Sequence, residues 1–260
     1  MKYQLTKPFL FLVGFILIVS LACGIGTPEE PAAPAPVEEA APAQPVEQPP
    51  TEVPPTEPVA QQFYTETFDG DTTQWTYFLV DARESVPVRV EEDFGTMFVG
   101  TEDGRLLYNL ESEWQWPYVT YDTYEYDNVR MDVVVENRGV NNNWVSLICR
   151  YTQDEGWYEF NIANNGLYNI YHAIVRSDGA VIYTEIADGG SNKIKAGKET
   201  NEYAIVCKDR QLELYINGYE TRILEENNYA LRDGLIGIGV ASRDILPVKL
   251  EVDSITISQP

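Results

Sequence analysis

Residues 63–260 predict an all-β fold, an antiparallel sandwich or barrel, on three observations. Apolar and polar residues alternate with period two through most of the stretch, which lays one side of each strand on a core and turns the other to water. Turn signals punctuate it at Glu102-Asp-Gly104, Asn164-Asn-Gly166, Ser177-Asp-Gly179, Asp188-Gly-Gly190, Asn217-Gly218 and Arg232-Asp-Gly234. No run of ten residues carries the 3.6-residue period of an amphipathic helix.

The chain begins differently. Lys2 and Lys7 precede 14 largely apolar residues, Phe9 to Ala22, and then Cys23. Positive residues before an apolar run of this length read as a secretory signal. At ~1.5 Å per residue the run spans roughly 21 Å, short of the ~30 Å hydrocarbon core that a permanent span must cross. Val19-Ser20-Leu21-Ala22-Cys23-Gly24 resembles the lipobox of bacterial lipoproteins, with Ser20 where that family usually has Leu. The resemblance implies a signal peptide over residues 1–22, acylation of Cys23, and an exported protein anchored by lipid on the extracytoplasmic side of a membrane. Cleavage without lipidation and an uncleaved anchor are the alternatives.

Residues 23–62 form the next segment. From Thr27 to Gln62 there are 11 prolines and seven glutamates, with no Lys, Arg or aromatic residue. Such a composition buries too little apolar surface to offset the entropy of ordering, so a disordered linker is expected, stiffened by proline and held extended. It starts four residues after Cys23, where a spacer between membrane and domain belongs.

The remaining 198 residues hold all five tryptophans and all tyrosines but Tyr3, a length that suits one large all-β domain. Without the signal, 16 basic residues face 41 acidic ones. This excess disfavours nucleic acid as a partner, because no basic run is present to neutralise phosphates. Once Cys23 is assigned to lipid, Cys149 and Cys207 remain as a pair in an oxidising compartment, and a disulfide between them is expected.

Alternation sets the faces of the strands. Val129, Met131, Val133 and Val135 share one side, with Arg130, Asp132 and Glu136 on the other. Leu212 to Ile216 and Val248 to Ile257 alternate in the same way, and Asn217-Gly218 between two such runs predicts a type I′ hairpin turn. With Val145, Leu147, Cys149 and Tyr151 inward, and Tyr158, Phe160 and Ile162 inward on the next strand, the opposite face carries Trp144, Ser146, Arg150, Trp157, Glu159 and Asn161. Pairing Tyr151 with Tyr158 puts Arg150 opposite Glu159. Rings beside planar polar groups suit a sugar, offering faces for C–H surfaces and donors for hydroxyls. An ordinary solvated face with an Arg150–Glu159 pair is the alternative.

Phe68-Asp-Gly70 with Trp75, Cys149-Arg-Tyr151, Trp157-Tyr-Glu-Phe160, Gly166-Leu-Tyr-Asn-Ile170, Leu214-Tyr-Ile-Asn-Gly218, Gly234-Leu-Ile-Gly-Ile238 and Val252-Asp-Ser-Ile255 together resemble the concanavalin A-like jelly-roll domains. Within that group the stretch looks like the laminin-G-like domains and the domain family named after 3-keto-disaccharide hydrolases. The resemblance implies an antiparallel jelly-roll sandwich of two curved sheets, with sugar or protein ligands on a concave face or a loop rim. It also suggests a structural calcium ion, for which Asp69, Asp71 and Asp253 are the candidates on the first and last strands.

Family 16 glucanases share that fold and carry Glu-x-Asp-x-x-Glu on one strand. The nearest string here, Glu251-Val-Asp253-Ser-Ile-Thr256, has Thr256 in place of the second carboxylate. Retaining hydrolysis needs both carboxyl groups, ~5 Å apart. The single histidine, His172, lies among tyrosines with no Gly-x-Ser-x-Gly elbow, and fits a strand position better than a general base. Trp114 and Trp116, with Pro117 between them and Tyr118, read as a loop or edge strand able to present rings to a ligand. The expected function is non-catalytic recognition of carbohydrate or cell-wall glycan by a surface-displayed domain. A glycoside hydrolase-like enzyme and a module that binds a surface protein are the rival readings.

Overall fold

The computed structural model describes residues 61–82, 86–89, 96–229 and 231–260, the second of these stretches by its backbone. The expected signal peptide, Cys23 and the linker up to residue 60 lie outside the described residues. The described chain runs through β1 (Tyr64–Glu66), β2 (Trp75–Asp81), β3 (Val86–Arg89), β4 (Met97–Glu102), β5 (Arg105–Leu110), β6 (Gln115–Tyr121), β7 (Val129–Asn137) and β8 (Trp144–Thr152). It continues through β9 (Gly156–Ala163), β10 (Leu167–Val175), β11 (Val181–Gly190), β12 (Thr200–Lys208), β13 (Gln211–Ile216), β14 (Tyr219–Glu225), β15 (Leu235–Ala241) and β16 (Val248–Ser258).

These strands form two sheets of eight, with every pairing antiparallel. The first sheet has the order β14-β13-β12-β7-β16-β5-β4, with β1 alongside β16; the second has the order β11-β10-β9-β8-β15-β6-β2-β3. The architecture is the jelly-roll sandwich that the alternation and the resemblance predict.

The first sheet follows period two closely. Val129, Met131, Val133 and Val135 of β7 lie in the core between the sheets, while Arg130, Asp132 and Glu136 look outward. On β16 the inward set changes from Val248, Leu250 and Val252 to Ile255 and Ile257 across a bulge between Val252 and Ser254. An extra residue reverses which parity faces the core. At the β13–β14 turn, Asn217 and Gly218 have φ of 50° and 78°, both positive as a type I′ turn requires.

Cys149 on β8 and Cys207 on β12 form a disulfide, joining one sheet to the other through the core. Closing a loop of 58 residues stabilises the fold by about 4 kcal/mol in the chain-entropy description. At the domain's start, the Tyr121 and Tyr126 hydroxyls donate to the carbonyls of Gln61 and Gln62 at 2.8 and 2.6 Å.

The second sheet is apolar on both faces. One face belongs to the core between the sheets. The other carries a cluster of its own, made by Phe78, Val80, Tyr118, Ile148, Tyr151, Trp157, Ala173 and Val181. Strands β8 and β9 therefore bury residues of both parities.

The β8–β9 register corrects one expectation. Cys149 stands opposite Tyr158 and Ile148 opposite Glu159, whereas counting from a Tyr151–Tyr158 pair put Arg150 opposite Glu159. A bulge between Cys149 and Thr152 accounts for the difference, with Arg150 at a φ of 55°. Beyond the bulge the parity inverts. Tyr151, expected inward, joins the outer cluster; Arg150, expected on the outer face, is buried. Its guanidinium donates to the carbonyls of Leu231, Asp127 and Asp209 at 3.1, 3.0 and 2.8 Å. Gly234 makes room for this bulge: a Cβ there would lie 2.6 Å from the Arg150 carbonyl carbon.

Candidate functional site

The outer face of the second sheet assembles one layer of rings from six strands. Phe78 on β2 stacks on Tyr118 of β6 at 4.9 Å between centroids and on Tyr151 of β8 at 4.7 Å. Trp157 of β9 meets Phe78, Tyr118 and Tyr151 with tilted or edge geometry at 5.6–5.7 Å. Tyr183 of β11 then contacts Trp157, Trp116 and Tyr171 at 5.9, 5.4 and 6.0 Å. Edge-to-face pairs of this kind add to the burial of their area.

A single carboxylate is set into this layer. Glu159 is 3 % exposed. Its Oε2 accepts from the Tyr118 hydroxyl at 2.8 Å and the Trp157 indole N–H at 2.9 Å, and its Oε1 accepts from Ser146 Oγ at 2.7 Å and Asn161 Nδ2 at 3.3 Å. A carboxylate has about four lone-pair sites, and four donors occupy them. The Tyr118 hydroxyl is 3.1 Å from that of Tyr183. With its own proton on Glu159, Tyr118 accepts from Tyr183. Burial, followed by the negative charge of Glu159, pushes both phenols well above their ordinary value, so both remain donors at physiological pH.

This arrangement depends on a missing side chain. Tyr118 and Glu159 lie on β6 and β9, with β15 and β8 between them. Gly239 of β15 stands opposite Tyr118, and a Cβ there would fall 2.4 Å from Tyr118 Cδ1. The absence of that Cβ lets the Tyr118 ring lie across β15 toward the carboxylate.

Beside the layer opens a pocket of about 120 Å³ lined by Trp116, Trp144, Asn161, Tyr171, Tyr183, Ala241 and Arg243. Trp116 is held by its indole N–H, which donates to the Ser242 carbonyl at 3.3 Å. The Asn161 amide donates to Ser146 Oγ at 2.9 Å and to Glu159, so its amide oxygen is the group able to accept from a ligand. Arg243 lies over Trp144, its guanidinium carbon 4.2 Å from the ring centroid. Packed rings, one amide and one guanidinium are groups that recognise a polyhydroxylated ring.

The sequence-predicted residues divide three ways. Trp144, Asn161 and Trp116 line the pocket. Trp157 and Glu159 point to the outer face as expected but are buried beneath its surface, where they hold the layer together. Arg150 and Trp114 are elsewhere: Arg150 is buried under the bulge, and Trp114, 37 % exposed with a φ of 62°, sits in the turn before β6. Tyr171, Tyr183, Ala241 and Arg243 were missed. Tyr171 stands opposite Glu159 and Tyr183 opposite Ala173, so their alternation was readable but their strand neighbours were not.

The carboxylates proposed for calcium do not come together as a cage. Asp253 faces the Arg105 guanidinium at 3.6 Å, and Asp71 accepts from the Thr73 amide at 3.0 Å. Among the described residues no group of three or more His, Cys, Asp or Glu is placed to hold a metal ion. Glu251, the first carboxylate of the string compared with the glucanases, is engaged by Arg105 at 2.7 Å and Arg138 at 3.1 Å on the other sheet. His172 stacks on Tyr229 at 3.8 Å and is buried as a strand residue.

Comparison with models of known protein families and with curated proteins finds no match. Solved structures do match in fold. A family 16 endo-glucanase from Bacteroides ovatus is 11% identical, with a TM-score of 0.53 over 75% of this chain and 99% of that one. The Bacillus licheniformis β-glucanase is 12% identical, with a TM-score of 0.50 over 78% and 100%. The protein LamAcat from Zobellia galactanivorans is 9% identical, with a TM-score of 0.53 over 76% and 97%. At these identities the likeness is one of architecture: the described domain has the jelly-roll fold that glycoside hydrolases of this kind also use.

Proposed function

We propose that the outer face of the second sheet is a non-catalytic glycan-binding surface, carried on an exported protein that acylated Cys23 anchors to a membrane and the proline-rich segment holds away from it. The observation that carries this reading is the pocket framed by Trp116, Trp144, Tyr171 and Tyr183 with Asn161 and Arg243 at its wall. Its rings match the apolar faces of a sugar, and its polar groups are few and fixed.

The chemistry of the carboxylates favours binding over hydrolysis. Retaining glycosidases hold two carboxyl groups ~5 Å apart, one of them free to attack. Glu159 has its oxygens committed to Tyr118, Trp157, Ser146 and Asn161. Glu251 is tied into ion pairs on the opposite sheet.

A polysaccharide panel presented to the purified protein, with soluble-sugar release followed in parallel, tests the proposal. Retention by at least one glycan without release of reducing or 3-keto sugar is expected. Sugar release that disappears in Glu159→Gln, or silence across the whole panel, overturns it.

A further inference from the structure

Arginine side chains elsewhere on the domain are largely spoken for. Arg105, Arg130, Arg138 and Arg176 are in ion pairs, Arg150 is spent on carbonyl oxygens, and Arg210 donates to Asn227. Arg222, Arg232 and Arg243 form no ion pair among the described residues, and of these three Arg243 alone lines the aromatic pocket. It is exposed at the pocket's rim, with its guanidinium carbon over the Trp144 ring, 4.2 Å from the centroid. In a chain with 41 acidic residues against 18 basic ones, carboxylates are plentiful, so a guanidinium standing apart from them is notable. Of the acids around the pocket, Asp244 accepts from Asn142 at 2.9 Å, Glu185 from Asn169 at 2.9 Å and Glu159 from its four donors, while Asp188, which also acts on Tyr171, forms no ion pair with Arg243 among the described residues.

A guanidinium held over an indole ring is partly shielded on that side and keeps N–H groups for a ligand. Those groups form a rigid fork that matches the oxygens of an anion, and the contact with the ring fixes the side chain before a ligand arrives. Neutral sugar hydroxyls need only single partners, which the Tyr171 hydroxyl and the Asn161 amide oxygen supply.

Resting on the reading of the pocket as a glycan site, we infer that its ligand is an acidic glycan, with sugar rings seated among Trp116, Trp144, Tyr171 and Tyr183 and a carboxylate or sulfate substituent held by Arg243. Asn161 accepts from a hydroxyl of the same sugar. The acidic surface of the rest of the chain repels polyanions in general, so recognition is confined to this rim.

Paired ligands test it. Oligosaccharides of a uronate polysaccharide are titrated into the full chain beside their carboxyl-reduced counterparts, and sulfated galactan oligosaccharides beside their desulfated ones. Binding of at least one acidic member about tenfold or more above its neutral counterpart is expected, and the series showing the preference identifies the anion. Arg243→Ala and Arg243→Gln abolish the preference, Arg243→Lys retains part of it, and none of the three moves the unfolding midpoint. Equal affinity for charged and neutral members, or a preference that survives Arg243→Ala, overturns the inference. Neutral glycans held through Trp144 with no acidic preference would sink this inference alone. Folded protein that ignores both series and a broad neutral panel would sink the glycan reading as well.

Discussion

The Tyr118 hydroxyl on β6 donates to Glu159 on β9 at 2.8 Å, reaching across two intervening strands over the position where Gly239 has no side chain. This bond, with those from Trp157, Ser146 and Asn161, ties β6, β8 and β9 of one sheet together beneath the pocket. The carboxylate is thus an architectural group, and its replacement should be read in stability.

Glu159→Gln leaves a shape-matched side chain whose amide meets donors where the carboxylate accepted. Trp157, whose indole N–H can only donate, cannot reverse roles. A loss of about 2–3 kcal/mol in urea unfolding is expected. Unchanged stability would mean that the four hydrogen bonds do not support the fold.

Gly239→Ala places a methyl 2.4 Å from Tyr118 Cδ1. The ring must move, which costs about 1–3 kcal/mol and weakens the bond to Glu159. Because both changes act on one contact, the double variant with Tyr118→Phe should cost less than the two single changes combined. Strict additivity would contradict the coupling.

Arg150→Met removes a buried cation from three carbonyl oxygens. Destabilisation by about 2–4 kcal/mol is expected, with unaltered glycan affinity for the fraction that stays folded. A specific loss of affinity at full stability would restore Arg150 to the binding face.

His172 makes stability depend on pH. Burial lowers its pKa below the ordinary 6.5, against the opposing pull of Glu226. The unfolded chain takes up a proton near 6.5 that the folded chain resists, so the neutral ring's contribution is present above that pH and is lost as pH falls below it. The stability difference between the protein and His172→Phe, measured from pH 8 down to pH 5, should shift in favour of the variant at the acid end. A flat difference would show that His172 titrates alike in both states.

Much of the fold was written in alternation. The valines of β7 and the Asn217-Gly218 turn are local patterns that the strands repeat unchanged, and the Cys149–Cys207 pair followed from the count of cysteines. Trp144 and Asn161 reach the pocket because they share a parity that the β8–β9 pairing preserves. Arg150 was lost to a bulge: one residue at positive φ inverts everything after it, and nothing in Cys149-Arg-Tyr151 announces that backbone state. Period two told the side on which Trp157 and Glu159 lie. It could not tell that Tyr118 and Tyr183, from strands remote in sequence, would cover them. Arg243 and Tyr183 were invisible for the same reason, since the order of strands in the sheet brings them to Trp144 and Trp116.

The account turns on Trp144 as a sugar platform, and calorimetric titration of the bound glycan into the full chain and into Trp144→Ala tests it most directly. A fall in affinity of about tenfold or more, equivalent to ~1.4 kcal/mol, with an almost unchanged unfolding curve is the predicted result. Equal affinity in the two proteins would place the ligand elsewhere and contradict the account.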